Sequence, residues 1–335
     1  MWPALLAASL FPSQVHLPFP DAARVVVVGR DVIAISGSGK GVVLAGDGKG
    51  HFRPGARFEA GDNPASVAAA DLDGDGKPDL VVANHERKYL TVLFGPLYAK
   101  SRQVPIEVTP HGHFAAVADL DGDGKQDLVV NDMGGRRVLV LWGNGDGSFT
   151  GGTAAGTGSK GYPYINVAVA GRRIFAPTWP QPQLAVLRVE KRELKQEALL
   201  DLPNPSFFAV AADFDGDGKP DVAVATYSGN FADASRDGVV FFSGGHSPAK
   251  TYASGHAPTA LAAGDIDGDG RADLAVCNQA GDSVTLLFGE SEGLREGPTL
   301  PAAHPQGIAL GDLDGDGKAD LVVAARDEVI IFLTR

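Results

Sequence analysis

The stretch Asp71-Leu72-Asp73-Gly74-Asp75-Gly76-Lys77-Pro78-Asp79 has the pattern D-x-D-G-D-G-x-x-D, which occurs five times in this chain. The copies are Asp71–Asp79, Asp119–Asp127, Asp213–Asp221, Asp265–Asp273 and Asp312–Asp320. Four carboxylates on one short loop form an oxygen-only ligand set, which suits a hard divalent cation such as calcium. Glycine at the sixth place lets the backbone turn sharply under the ion.

The seventh residue of every copy is Lys or Arg, so it can contribute only its backbone carbonyl oxygen to a cation. Five calcium ions are therefore predicted, one per loop. The predicted ligands are Asp71, Asp73, Asp75, Lys77, Asp79, Asp119, Asp121, Asp123, Lys125, Asp127, Asp213, Asp215, Asp217, Lys219, Asp221, Asp265, Asp267, Asp269, Arg271, Asp273, Asp312, Asp314, Asp316, Lys318 and Asp320.

The spacing of the loops indicates a repeat of about 47 residues. The first aspartates are separated by 48 (71 to 119), 94 (119 to 213), 52 (213 to 265) and 47 (265 to 312) residues. The separation of 94 equals two steps, and the missing loop is replaced by the short turn Gly171-Arg172-Arg173. Gly29-Arg30-Asp31 makes the same replacement near the start. Seven repeats result, and a fixed period of this length is typical of stacked or radial units.

The residues around each loop predict strands. An EF-hand needs a Glu at the twelfth place and flanking helices, whereas this place holds Val in every copy, as at Val82. Short apolar runs flank the loops, and further strand-like runs such as Tyr89–Phe94 and Gln103–Val108 follow. Gly143-Asn144-Gly145-Asp146-Gly147 is a hairpin signal. The predicted fold is all-β, a seven-bladed β-propeller of four-stranded antiparallel blades.

The two ends of the chain are predicted to meet in the last blade. Val329–Leu333 ends that blade without an outer strand, and Ser13–Phe19 resembles the outer strands of other repeats. We expect Ser13–Phe19 to complete the seventh blade and leave no open edge. Residues 12–335 then form one propeller domain, while residues 1–11 resemble a truncated signal-peptide remnant that lacks a positive amino-terminal region.

The repeats resemble the FG-GAP/VCBS repeats of bacterial secreted proteins and the calcium-binding blades of the integrin α-subunit head. The Asp loops, the pairs Phe94-Gly95 and Phe288-Gly289, and turns such as Gly143–Phe149 carry this resemblance. It covers nearly the whole chain, about residues 12–335. It implies the propeller fold and the calcium role, together with a link to cell adhesion. The specific function transfers poorly, because propellers host unrelated activities.

Composition limits the classes of partner. The formal net charge is −12, and the five loops hold 20 of the 41 acidic residues. Five calcium ions would bring the charge to about −2, so the acidity does not indicate a basic partner. The sequence has no basic stripe for nucleic acid and no stretch that spans a membrane.

Cys277, the single cysteine, is predicted to be a buried small hydrophobe. Calcium modules of weak affinity favour a secreted or periplasmic location.

A second set of candidates lies in the connectors opposite the Asp loops. These His and aromatic residues recur just before first strands or in two conspicuous loops, Pro177–Pro182 and Tyr227–Gly238. The candidate ligand-binding residues are His111, His113, Tyr162, Tyr164, Trp179, Tyr227, Phe231, His256 and His304. They could bind a ligand or, alternatively, a transition metal. Each His could instead cap its local turn, and Trp179 could be half-buried by packing.

Three functions remain open at this point. The first is a non-enzymatic binding or adhesion module for a protein or glycan on the face opposite the calcium loops. The second is a lectin that uses Trp179 and the connector aromatics. The third is a hydrolase, lyase or dehydratase that uses connector histidines such as His111 and His304. The sequence shows no H-E-x-x-H motif and no phosphate-binding loop, which favours the non-enzymatic interpretation.

Overall fold

Seven antiparallel sheets follow one another along the chain in the computed structural model, which describes residues 10–96, 98–106, 114–163, 165–229, 237–245 and 247–335. We number the sheets as blades 1 to 7 in the order of their first strands. Seven such sheets in succession define a seven-bladed β-propeller, as the sequence predicted. Inter-residue contacts divide the chain into two compact units, whose boundaries fall within the strands at residues 52–59 and 206–212.

One unit contains blades 6 and 7, blade 5 from Val210 onward and most of blade 1. Blade 7 begins with the strand nearest the amino terminus, β1 (Ser13–Pro18), and also holds β27 (Pro305–Gly311), β28 (Asp320–Ala325) and β29 (Glu328–Leu333). Blade 1 holds β2 (Ala22–Val28), β3 (Asp31–Ser36), β4 (Lys40–Gly46) and β5 (Phe52–Glu59). Blade 5 holds β19 (Ser206–Ala212), β20 (Asp221–Thr226), β21 (Gly238–Ser243) and β22 (Ser247–Ala253). Blade 6 holds β23 (Pro258–Gly264), β24 (Asp273–Asn278), β25 (Ser283–Glu290) and β26 (Gly293–Pro301).

The other unit contains blades 2, 3 and 4. Blade 2 holds β6 (Pro64–Ala70), β7 (Asp79–Asn84), β8 (Tyr89–Phe94) and β9 (Lys100–Pro105). Blade 3 holds β10 (Ala115–Ala118), β11 (Asp127–Asp132), β12 (Arg137–Gly143) and β13 (Phe149–Gly156). Blade 4 holds β14 (Tyr162–Pro163), β15 (Ala168–Ala170), β16 (Arg173–Trp179), β17 (Gln183–Glu190) and β18 (Glu193–Asp201).

The second strand of each blade is buried on both faces. Strand β7 has the sequence DLVVAN, and all six residues are buried. A near-continuous apolar run of this kind is expected where both faces of a strand are covered. Within each unit, buried side chains of neighbouring blades form shared clusters, such as Val81 and Leu128 of blades 2 and 3, or Cys277 and Val323 of blades 6 and 7. Burial of Cys277 was predicted and is confirmed.

Blade 7 is completed by the amino-terminal strand, as predicted. Strand β1 pairs antiparallel with β29 over six residue pairs, from Ser13 opposite Leu333 to Pro18 opposite Glu328. Just before β1, Phe11 is 3% exposed. Its ring centroid lies 5.8 Å from that of Phe332. Residues 1–9 lie outside the described part of the chain. No helix among the described residues has the length and apolar character needed to cross a lipid bilayer.

Blade 4 departs from the expected four strands. Its first strand is split into β14 and β15, and both pieces pair with β16. The sequence placed Tyr162 in a connector and Pro177–Trp179 in a loop, and both placements were wrong. Tyr162 pairs with Trp179, and Pro163 pairs with Thr178. The proline-rich sequence suggested a loop, but Pro177 and Thr178 are buried and continue the run of buried residues in β16.

Candidate functional site

Each Asp loop joins the first and second strands of its blade. We name the loops after their blades: loop 2 (Asp71–Asp79), loop 3 (Asp119–Asp127), loop 5 (Asp213–Asp221), loop 6 (Asp265–Asp273) and loop 7 (Asp312–Asp320). The two predicted short turns, at Gly29–Arg30 and Gly171–Arg172, connect the corresponding strands of blades 1 and 4. The repeat assignment from spacing is therefore confirmed.

The first aspartate holds the loop backbone in a tight curve. In loop 2, the Asp71 carboxylate accepts the N–H groups of Gly74 at 2.8 Å and Gly76 at 2.9 Å. The other four loops repeat both bonds. Gly74 and Gly76 have φ of 78° and 82°, a region that disfavours a residue with a Cβ. This backbone requirement explains why glycine recurs at the fourth and sixth places.

The third and fifth aspartates are also held by the loop backbone. Asp73 Oδ1 accepts the N–H of Asp75 at 3.1 Å, and Asp75 Oδ1 accepts the N–H of Lys77 at 2.8 Å. These two bonds recur in the remaining loops. One oxygen of each carboxylate is thus used to position the side chain. In Asp75, Asp217 and Asp269, the second oxygen pairs with the Lys or Arg at the seventh place of the same loop.

The ninth aspartate ties the loop to the end of the third strand. Asp79, the first residue of β7, is 1% exposed. Its carboxylate accepts the N–H of Leu72 at 3.0 Å and that of Gly95 at 2.8 Å. Equivalent clamps form in the other loops. Blade 1 keeps one half of this clamp without a long loop, since Asp31 accepts the N–H of Gly46 at 3.0 Å.

Burial raises the pKa of the ninth aspartates. Desolvation raises the pKa of Asp273 and of Asp320 to about 6, although backbone N–H groups at Gly289 and Thr334 oppose the shift. The same cause raises the pKa of Asp79, Asp127 and Asp221. A buried carboxylate beside other carboxylates disfavours its own negative charge. A cation in the loop would offset this cost.

Each loop brings three carboxylates together, with one oxygen of each lying within 4.8 Å of the others. The first and third aspartates are joined by the ninth in loops 2, 3 and 5, and by the fifth in loops 6 and 7. Three of the four predicted carboxylate ligands therefore converge in every loop. The donor set is carboxylate oxygen alone, which fits a hard cation such as calcium. A role for the seventh residue's carbonyl stays a prediction.

The candidate ligand residues are partly outside the described chain. His111, His113, Tyr164 and Phe231 lie among residues that the structure does not describe. Tyr227 is buried, whereas His256 and His304 are half-buried in turns. The His304 N–H donates to Asp282 at 2.7 Å, and the carbonyl of His256 accepts the N–H of Gly281 at 3.2 Å. Both bonds use backbone atoms, so they do not depend on the histidine side chains.

No described histidine joins a metal-capable group. Within the described ranges, the groups of three or more such side chains consist of aspartates alone. The transition-metal interpretation of the histidines therefore gains no support from the described part of the chain.

Three aromatic residues form a cluster that the sequence indicated only in part. We name it the aromatic cluster: Tyr162, Trp179 and Phe207. Tyr162 lies opposite Trp179 in the strand pair, and the ring centroids of Trp179 and Phe207 are 5.2 Å apart. All three side chains are partly exposed. Phe207 was not among the candidates, because its proximity to Trp179 follows from packing between blades.

Two arginines of blade 4 reach loop 3, and nothing in the sequence signalled either contact. Arg172, in the short turn, donates from Nη2 to the carbonyl oxygen of Asp121 at 3.1 Å. Arg192, in the turn between β17 and β18, pairs with the side chains of Asp121 at 2.5 Å and Asp123 at 3.2 Å. The blade that lacks an Asp loop thus supplies cations to the loop of its neighbour.

Comparison with known proteins identifies the family. The family model for the FG-GAP-like repeat matches residues 29–82, 119–170, 213–276 and 265–323. These ranges cover more than half of the chain, which therefore belongs to the FG-GAP-like repeat family. No curated protein sequence matches the chain.

Solved structures confirm the fold alone, because their sequences are distant. BBS1N, solved in complex with ARL6DN, is 14% identical with a TM-score of 0.69 and 97% of each chain covered. Hydrazine synthase of Kuenenia stuttgartiensis is 13% identical with a TM-score of 0.68, covering 96% of this chain and 97% of the other. The WD40 domain of Toxoplasma gondii coronin is 12% identical with a TM-score of 0.67, covering 97% and 88%.

Proposed function

We propose that this protein is a calcium-stabilised, non-enzymatic binding module that works outside the cytoplasm. The observation that carries the proposal is the common architecture of the five Asp loops, in which three carboxylates converge within 4.8 Å in each loop. Backbone N–H groups fix these carboxylates before any ion arrives. A preformed, oxygen-only site lowers the ordering cost of binding a hard cation.

Calcium fits these loops better than other metals. Zinc and copper sites use His or Cys, and the clusters in the described part of the chain contain neither. Magnesium demands a small octahedral shell, whereas calcium accepts six to eight oxygens from carboxylates, carbonyls and water. Extracellular calcium modules bind with Kd of roughly 10⁻⁴ to 10⁻³ M, a range that only extracytoplasmic calcium fills. The proposed weak affinity for calcium therefore goes with the proposed location outside the cytoplasm.

The partner surface that we propose is the aromatic cluster, whose residues lie on β14, β16 and β19. Trp179 ends β16, while Arg173 begins that strand beside the short turn that replaces an Asp loop. At about 3.3 Å per residue, the two ends are roughly 20 Å apart. Trp179 thus lies away from the end of blade 4 where the other blades carry their Asp loops. BBS1N shows that a propeller of similar fold can form a complex with another protein, which supports a protein partner.

A glycan is the second candidate partner. The ring of Trp179 is partly exposed beside Phe207 and opposite Tyr162, and flat aromatic faces also stack on sugars. A glycan array probed with the wild type and with Trp179→Ala tests this candidate. Tyr89→Ala, which alters a partly exposed aromatic residue of blade 2, is the control. Sugar binding that is lost only in Trp179→Ala would identify a lectin.

The calcium proposal is tested by titrating metal-free protein with calcium in a calorimeter. We expect saturation at five ions per chain, with affinities in the range of extracellular modules. Elemental analysis of dialysed protein gives an independent stoichiometry. Saturation with two ions, or the absence of calcium binding, would overturn the proposal.

A further inference from the structure

Loop 3 differs from loops 2, 5 and 6 in where the cation that pairs with its aspartates comes from. In loops 2, 5 and 6, the seventh residue pairs with the fifth aspartate of the same loop, at 3.0, 2.8 and 2.6 Å respectively. In loop 3, the Lys125 side chain lies along Gly145 instead. Arg192 of the neighbouring blade pairs with both Asp121 and Asp123. Asp121 is one of the three carboxylates that converge in this loop, as Asp269 is in loop 6, but Arg192 pairs with two aspartates at once whereas Arg271 pairs with one.

Arg192 is held in position by two further contacts and by its backbone conformation. Its carbonyl oxygen accepts the Thr153 hydroxyl at 2.8 Å. Its guanidinium lies over the ring of Trp142, with Cζ 5.3 Å from the centroid. Its φ of 64° is in the left-handed region, so the tight turn between β17 and β18 aims the residue at blade 3. Backbone and side chain are thus both fixed against blade 3, and the guanidinium is preorganised for loop 3.

The position of Arg192 conflicts with a bound ion. A divalent cation and a guanidinium both need the Asp121 carboxylate, whose side chain is only 11% exposed. A cation close to the arginine would also experience repulsion between like charges. Calcium therefore has to displace the Arg192 side chain, or bind loop 3 against its charge.

We propose that Arg192 is a built-in competitor for calcium, which makes loop 3 the weakest of the five calcium sites. The inference rests on the proposed calcium function and deepens it. Calcium at low concentration fills loops 2, 5, 6 and 7. At higher concentration calcium enters loop 3 and releases Arg192 from Asp121 and from the face of Trp142. The turn between β17 and β18 then loses a contact with blade 3, so loop 3 senses calcium while the other loops stabilise blades.

The test is a calcium titration of metal-free wild type and Arg192→Gln. Calorimetry of the wild type should show four stronger sites and one weaker one. In Arg192→Gln the weak site should tighten by about tenfold, the effect that two partly exposed ion pairs can supply. Arg188→Gln is the matched control, since Arg188 is an exposed arginine of β17 that pairs with Glu190 at 3.7 Å. Asp119→Asn in each background identifies the heat that belongs to loop 3.

Fluorescence of Trp142 gives a second readout that a purely structural arginine would not produce. Wild-type emission should change in the weak phase of the titration, and the change should be absent from Arg192→Gln and from Trp142→Phe. Five equal sites in the wild type would overturn the inference, as would an unchanged loop 3 affinity in Arg192→Gln. If loop 3 binds calcium in Arg192→Gln but not in the wild type, Arg192 blocks the site completely, which also supports the inference. Absence of calcium binding at all loops would instead refute the proposed function.

Discussion

The carboxylate of Asp273 accepts the backbone N–H of Gly289 at 2.8 Å, which links the start of the second strand of blade 6 to the end of its third strand. The other oxygen of Asp273 accepts the N–H of Ile266 at 2.7 Å. The ninth aspartate of loop 6 therefore closes the backbone around the site, whereas the convergent carboxylates of this loop are those of Asp265, Asp267 and Asp269. The fifth aspartate, Asp269, is exposed and bonds within the loop alone.

Loss of a ninth aspartate should cost more stability than loss of a fifth. In calcium-saturated protein, Asp273→Ala leaves the buried N–H groups of Ile266 and Gly289 without their acceptor, at a cost of about 3 kcal/mol or more. Asp269→Ala removes a ligand alone and should cost at most about 1.4 kcal/mol. Urea unfolding in excess calcium measures both values. Equal losses in the two variants would show that the clamp contributes nothing.

Removal of calcium should lower the melting temperature. With a Kd of about 0.1 mM and about 1 mM free calcium, each site contributes about 1.4 kcal/mol. Four or five sites then supply about 6–7 kcal/mol, which corresponds to about 8–10 °C for a chain of this length. Differential scanning calorimetry before and after chelation, with elemental analysis to verify that the metal has left, measures the shift. An unchanged curve for metal-free protein would contradict it, and restored calcium should restore the melting temperature.

The metal-free protein should become more stable as the pH falls from 7.5 to 5. Burial raises the pKa of Asp273 and Asp320 to about 6, above the value of about 3.9 expected in the unfolded chain. A raised folded-state pKa contributes stability that is complete below the unfolded value and is lost as the pH rises through about 6.

Calcium-loaded protein should show the opposite trend over the same range, because protonation displaces calcium from its ligands. Melting temperatures across the pH range test both forms. The double variant Asp273→Asn/Asp320→Asn is the control, and its metal-free form should lose most of the pH dependence. A metal-free wild type that is most stable at pH 7.5 would contradict the predicted direction of this pH dependence.

Cys277 should report opening between blades 6 and 7. The thiol is fully buried, burial raises its pKa, and its sulfur lies 3.9 Å from the carbonyl oxygen of Gly307 in β27. A buried thiol that stays protonated does not react with disulfide reagents. Labelling should be slow in calcium and should accelerate several-fold after chelation, because the loops of blades 6 and 7 lose their ions. A rate that is fast in calcium would mean that this interface opens without metal loss.

The repeats, the loops and the closure of blade 7 could be predicted from the sequence because each is encoded in a local pattern. The nine-residue Asp motif specifies its own turn, and apolar runs specify the buried second strands. The pairing of Ser13–Pro18 with Glu328–Leu333 could be predicted because the last repeat lacks an outer strand.

The contacts between blades could not be predicted in the same way. Arg192 and Asp121 are 71 residues apart, and an exposed turn residue has many neighbours that its sequence context does not distinguish. The strand β14 was missed because its two residues, Tyr162 and Pro163, are too few to form a periodic pattern. Trp179 and Phe207 come together through packing of neighbouring blades, which the repeat pattern does not specify.

The pairing of β1 with β29 also determines how the protein responds to mechanical force. Ser13 faces Leu333, so tension on the chain before β1 and after β29 acts on the same end of the strand pair. The six residue pairs would then separate one after another from Ser13 and Leu333, instead of resisting together in shear. Successive separation needs a smaller force than simultaneous separation. The strand pair that closes blade 7 in solution is therefore where the propeller would yield first when pulled.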